Sequence, residues 1–516
     1  MLQRFSPIAL VGSLAAAPSA LAQQTPAAPL DYGPHAVGFR VIEALDSTRS
    51  FRPVRDFRGE PAGESARPVQ ISVWYPARSV PGARRIPAGA FRLLSHSEID
   101  FSVVLSSEDS ARQRDEFLRS GAGFGVDTAT AARLWDEPTP AIRDAPPLPG
   151  PHPTVLYTGA AGVNDPLLPA YLASHGFVVA SYPANGRMTD GSLEYTPNAL
   201  TLDTGIDDAG FVHSVLRRTP YADARRLAVA SFSGGTLPAL LWAMRDMQAS
   251  AFVSIEGWER YRRGADIVSA SVHYDPGRIR VPYLMLERAA TEPSPQFARV
   301  DDVVGALRYA SITRVAFRDA EHGDFLSHAP SPPGSGGPTT YATSARTIRL
   351  FLQAALARDA GAERELQALA PPSADPFFTI AHTRAIGPVP SEEELYRLAE
   401  TDPAAALVAY RTAIRVVPGR DLFRESVLTR AAIFASSPDA RVTILEIVAD
   451  AYPASTAARF QLGQALAEMG RPAEAEAAFR AALELVAHDP ALEDAGRAQW
   501  RERIQAALRR DPETGR

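Results

Sequence analysis

The chain has 516 residues, 46 % of them apolar and 22 % charged, which is a normal soluble-globular balance and too much chain for one ordinary core, so two domains are expected. A net charge of −6 offers no basic stripe for nucleic acid and no acidic tail for a cationic partner. Cysteine is absent, which excludes disulfides, cysteine-rich zinc sites and cysteine nucleophiles; lysine is absent too, so arginine carries the positive charge.

The first residues read as an export signal. Arg4 gives a positive start, Ile8 to Ala17 is apolar but too short to span a bilayer, and Ala20-Leu-Ala22 has the small-x-small cleavage pattern. A signal peptide over 1–22 is expected, with the mature protein in the periplasm or outside the cell. No later segment has the length and apolarity of a membrane span.

Residues 23–36 read as a leader. Ala36 to Leu45 and Val69 to Tyr75 are rich in β-branched and aromatic residues and read as strands. The segment 82–150 has helical spacing around Phe91 to Leu94, Ser107 to Ser120 and Thr128 to Trp135, and it closes with a proline-rich run. It reads as an inserted helical cap. From Thr154 onward strands and helices alternate. Thr154–Tyr157, Phe177–Ser181, Arg226–Ala230, Ala251–Ile255, Tyr283–Leu286 and Ile312–Phe317 are the strands, the last of these ending the sheet. Thr339 to Ala357 is a closing helix. This pattern predicts an α/β class fold with a doubly wound, mostly parallel sheet over residues 31–357.

After Arg358 strand signals vanish. Residues 358–390 read as a linker and 391–516 as a helical domain. Within it Leu462-Gly463, Leu466, Gly470, Ala475, Phe479 and Ala482 have the spacing of a tetratricopeptide helix pair, and a repeat of that kind offers a surface for a protein or peptide partner.

The stretch Leu227-Ala-Val-Ala-Ser-Phe-Ser-Gly-Gly235 runs from an apolar strand through a small-residue turn into an apolar helix. That is the setting of a nucleophile elbow, where a strained turn exposes a serine and flanking positions must be small. Ser233 is the candidate nucleophile. Serine needs a base within hydrogen-bond reach and a group to orient that base. Three histidines follow it within the α/β region, His273, His322 and His328. His322 follows the last predicted strand and is preferred, with His328 second; His273 precedes a strand. For the acid, Glu256 follows the next strand directly and is favoured over Glu287 and Glu292, which follow the strand after it. A carboxylate against an apolar strand end needs a partner, and an imidazole would supply one. The oxyanion hole is expected from the backbone N–H groups of Gly234 and Ala160, the latter in Thr158-Gly-Ala-Ala-Gly162. No metal-ligand spacing and no phosphate loop is present in the sequence, so neither a metal nor a cofactor is expected.

These motifs, with Gly33-Pro-His-Ala-Val-Gly38, Ile71-Ser-Val-Trp-Tyr-Pro76 and Tyr171-Leu-Ala-Ser-His-Gly-Phe-Val-Val-Ala180, resemble the dienelactone-hydrolase-like and platelet-activating-factor-acetylhydrolase-like α/β-hydrolases. The resemblance spans about residues 31 to 357 and implies a serine hydrolase without a cofactor. It also places Glu256-Gly-Trp258 where the acetylhydrolases carry Asp-Ala-Trp. Two positions depart from the pattern. Ser231 stands for the first elbow glycine, and Thr158 for the histidine of the His-Gly oxyanion motif. The expected activity is cleavage of a small-molecule carboxylic ester through an acyl-enzyme. The departures leave open a non-catalytic interaction protein with a degenerate hydrolase domain, and the same triad would also serve amide cleavage.

Overall fold

A computed structural model describes residues 30–51, 63–122, 126–159, 165–184, 199–289, 294–327, 337–369, 377–383, 385, 390, 392–416 and 424–509. The chain divides into two compact units, Met1–Thr383 and Arg384–Arg516.

The first unit is built on an 11-stranded sheet. In chain order the strands are β1 (Ala36–Phe51), β2 (Ser65–Ala77), β3 (Arg85–Pro87), β4 (Pro138–Arg143), β5 (His152–Thr158), β6 (Val178–Ser181), β7 (Ala222–Phe232), β8 (Ala251–Ile255), β9 (Tyr283–Arg288), β10 (Ile312–Phe317) and β11 (Phe378–Thr383). Their order across the sheet is β11-β10-β9-β8-β7-β5-β6-β2-β1-β4-β3. Strands β6, β5, β7, β8, β9 and β10 are mutually parallel, and β1–β2, β2–β6 and β10–β11 are antiparallel.

Side chains on successive strand residues point to opposite faces, and here both faces are covered. Leu156, Val229, Phe252 and Met285 point to one core, which also holds residues of the helices Ala199–Leu216 and Thr236–Asp246. Their neighbours Val155, Ala228, Val253 and Leu284 point to a second core with the helices Leu167–Ser174 and Gly337–Ala357. Burial on both sides is why β8 reads as an unbroken apolar run with one serine rather than as an alternation. The doubly wound, mostly parallel α/β architecture is thus seen directly in the layers.

Two boundaries differ from the expectation. The segment 82–150 is helical at Ala88–Arg92, Ser107–Ala122 and Thr128–Asp136, but its ends are strands β3 and β4, which extend the main sheet beyond β1. The proline-rich run that closes the segment includes β4, whose pairing with β1 covers only Ala141–Arg143, beyond Pro138 and Pro140. The expected linker 358–390 contains the helix Ala360–Gln367 and strand β11. Strand β11 pairs with β10 over its whole length, so Ile312–Phe317 is not the last strand, and the first unit runs to Thr383 instead of Ala357.

In the second unit all described regular elements are helices, packed in consecutive pairs: Glu392–Thr401 with Pro403–Val416, Glu425–Ile433 with Pro438–Ala451, and Thr456–Glu468 with Pro472–Leu485. Asp494–Leu508 packs on the last pair. Ser437 and Ser455 cap two of these helices through Ala440 and Ala458 N–H. Gly463 explains the tightest contact: a Cβ there would lie 2.6 Å from the Phe479 ring.

Candidate active site

Chain direction across the sheet reverses at β5 and β7. From β5 the chain crosses to β6 on one side, then returns to β7 on the other. Loops leaving the C-terminal ends of two such strands diverge, and the crevice between them is where open α/β sheets bind ligands. The two segments expected to carry the nucleophile and the oxyanion donors leave the sheet at this point.

Ser233 follows β7 directly and opens a short 3-10 turn that runs into the helix Thr236–Asp246. Its φ is 55°, in the left-handed region that a side chain occupies only when its surroundings hold it there. Thr236 Oγ1 donates to the Ser233 carbonyl and accepts from Trp258 N–H, which ties the elbow to the segment after β8. The helix start also directs backbone N–H groups and positive dipole toward any anion at Ser233.

The glycines around Ser233 are required by a close approach. A Cβ on Gly235 would sit 2.3 Å from the Gly159 Cα, and Gly159 itself has φ 100° with Phe232 O in the way of any side chain. Gly159, the residue after β5, therefore packs directly on the backbone around Ser233. The two motif departures meet one residue earlier. Thr158 and Ser231 are paired in register on β5 and β7, Thr158 Oγ1 donates to Ser231 Oγ at 2.8 Å, and Ser231 Oγ reaches Thr158 O at 3.3 Å. Both residues are buried. Ser231 Oγ accepts from the Thr158 hydroxyl and donates to the Thr158 carbonyl, so the pair forms an internal cross-link between the two strands.

His322 lies in the turn after β10. Its Nε2 is 3.0 Å from Ser233 Oγ and its Nδ1 is 3.3 Å from Glu256 Oε2. The imidazole packs against the Phe232 ring, with centroids 4.8 Å apart, and its side chain keeps 42 % of its surface exposed, so one edge faces solvent and any incoming substrate. Glu256 follows β8, has φ 51°, and is fully buried. Its N–H donates to Leu286 O as a last rung toward β9, and the positive φ takes the chain out of the strand there.

The other candidates separate from this group. Glu287 is buried among arginines: Arg299 donates to it at 2.5 Å, Arg260 at 3.3 Å, and Arg314 lies 3.9 Å away. No histidine contact to Glu287 is present among the described residues. His273 faces Asp203 at 3.9 Å. Glu292, His328 and the second oxyanion donor Ala160 lie outside the described residues, whereas Gly234 sits at the first position of the turn after Ser233.

Three charged residues of the site have no counterpart in the sequence reading. Arg260 and Arg288 both pair with Glu256. Asp165 is buried and accepts from Ser327 N–H, Ser327 Oγ, Tyr341 OH at 3.1 Å and Tyr157 OH at 3.5 Å. It thereby fastens its own segment to the chain five residues past His322.

Burial pushes the Asp165 carboxyl up to about 6, outweighing the hydrogen bonds from Ser327 and Tyr341 that favour its charged form. The unfolded chain releases this proton near pH 4, so between about pH 4 and 6 the folded state binds more protons and stability falls as pH rises. At pH 7 the ionised group costs on the order of 3 kcal/mol. The stability of wild type relative to Asp165→Asn should therefore rise by about that amount as pH drops from 7 to 4. Paired denaturation curves across this window measure it, and a pH-independent difference would refute the assignment.

No known family model and no curated protein matches the chain. Among solved structures, a ferulic acid esterase from Streptomyces cinnamoneus is similar at 18 % identity and a TM-score of 0.46, over 69 % of this chain and 98 % of that one. No membrane-spanning helix is found among the described residues.

Proposed function

We propose that this chain is an exported serine hydrolase that cleaves carboxylic esters through Ser233, His322 and Glu256. The observation that carries the reading is the relay of contacts from Ser233 Oγ to His322 Nε2 at 3.0 Å and from Nδ1 to Glu256 at 3.3 Å. With Nδ1–H donating to Glu256, Nε2 is left as the acceptor for the serine proton. Oγ attacks the ester carbonyl as that proton passes to Nε2. The carbonyl oxygen becomes an oxyanion beside the Gly234 N–H, with the Ala160 N–H as the proposed second donor. Collapse expels the alcohol, which takes the proton back from Nε2. Water, deprotonated in turn by His322, then releases the acid and restores Ser233.

The competing interaction-protein reading rests on the two motif departures. Their mutual hydrogen bond makes them one coherent exchange rather than two losses. Export belongs to the same proposal. It rests on the Arg4, Ile8–Ala17 and Ala20-Leu-Ala22 pattern, whose residues lie outside the described ones.

A fluorophosphonate probe tests the reading. The folded protein should become covalently labelled, and peptide mass spectrometry should place the phosphonate on Ser233. Folded protein that stays unlabelled at millimolar probe, or is labelled elsewhere, would overturn it.

A further inference from the structure

The carboxylate assigned to orient the histidine is itself gripped from behind. Arg260 pairs with Glu256 Oε1, and the Arg288 side chain pairs with Oε2, the same oxygen that faces His322 Nδ1. Tyr261 OH donates to Oε1 at 3.4 Å, the Arg288 N–H reaches Oε1 at 3.4 Å, and Arg288 Nη2 donates to Tyr261 OH at 3.0 Å. Orientation of a histidine needs one partner on a carboxylate. Here two guanidinium groups share it, and the buried one is braced in turn. Arg260 has 1 % of its side chain exposed, stacks on the Tyr261 ring at 4.3 Å, and donates to Arg288 O at 3.2 Å and Glu287 at 3.3 Å.

We propose that Arg260 and Arg288 form a clamp of positioning residues that fixes the Glu256 carboxylate against His322 and keeps the imidazole neutral well into acidic solution. The inference rests on the triad assigned above. Its physical basis is charge. A lone buried carboxylate would favour the protonated imidazole strongly. Two cations on that carboxylate offset the attraction, because an imidazolium formed at His322 would share one carboxylate oxygen with Arg288, within about 6 Å of it. The result is a base that stays competent at low pH while its orientation is still held.

The other charges near the pair do not reverse this. Glu287 lies behind Arg260 and is itself covered by Arg299 and Arg314. On the histidine's own turn, Glu321 lies 3.8 Å from Arg288 with 61 % of its side chain exposed, where solvent screens it. Asp324 is buried and accepts the Glu321 N–H. Ser233 is neutral.

The test is the titration of His322 followed by NMR of imidazole-labelled protein, its signal identified by its loss in His322→Gln. In Arg288→Gln the midpoint should rise by about one pH unit. Arg288→Lys, which keeps the charge, should stay near wild type. The acid limb of kcat/KM for p-nitrophenyl acetate should move with the NMR midpoint. An unmoved midpoint in folded Arg288→Gln, or the same rise in Arg288→Lys, overturns the clamp. If Arg288→Gln fails to fold, the Arg288→Lys and Arg288→His pair, the latter titrated across its own protonation, decides in its place. A midpoint that moves as expected in a protein without esterase turnover upholds the clamp and removes the hydrolase reading, so the two fail separately.

Discussion

Ser233→Ala is expected to remove fluorophosphonate labelling and to lower kcat on p-nitrophenyl acetate by about 10⁴-fold or more. The loss follows from the geometry at one atom. Ser233 Oγ is the group in contact with His322 Nε2, and alanine leaves the imidazole with no nucleophile to activate. Because the residues act as a unit, adding His322→Gln to Ser233→Ala should cost almost nothing further. Stability should be nearly unchanged. Alanine keeps the Cβ, so the φ of 55° is no more strained than before, and Thr236 bonds the backbone carbonyl and not the hydroxyl. Steady-state kinetics beside thermal denaturation separates the two effects. A variant that keeps wild-type turnover would show that another residue attacks the ester.

The features that locate Ser233 were legible because each is local or follows a strand. The apolar runs of β7, β8, β9 and β10 mark their own ends, and Ser233, Glu256, Glu287 and His322 follow or close them. What chain order could not supply was the choice between Glu256 and Glu287. Both sit at the ends of adjacent parallel strands, and the backbone direction there decides which carboxylate meets the histidine. Glu256 turns at φ 51°, one residue beyond β8, whereas Glu287 is still within β9 and points among arginines. The arginine clamp was equally hidden. Arg288 is 32 residues from Glu256, and a chain without lysine has many arginines that might have filled that place. Strand β11 was missed for a different reason. Only Phe378 of its six residues is buried, so the strand exists through pairing with β10 and carries almost no apolar alternation of its own.

The ambiguity between the two carboxylates has a decisive experiment. Glu256→Gln should lower kcat by about 10⁴-fold, since an amide can no longer stabilise the imidazolium and can present the wrong group to Nδ1. It should also destabilise the fold, because Arg260 is buried and loses a charged partner, a change that typically costs about 3–5 kcal/mol. Glu287→Gln is the control. It strips a carboxylate from the same Arg260 and from Arg299 and Arg314, so its destabilisation should be of similar size. Yet it has no contact with His322 in the described structure, so kcat per folded molecule should remain within about tenfold of wild type. The two variants thus impose similar structural costs, and only Glu256→Gln removes a contact to the histidine. Urea denaturation gives the first quantity, and the native fraction it yields normalises the second. If both variants lost activity equally at equal stability, the acid would not be Glu256, and the 3.3 Å approach to His322 would be a by-product of the arginine network.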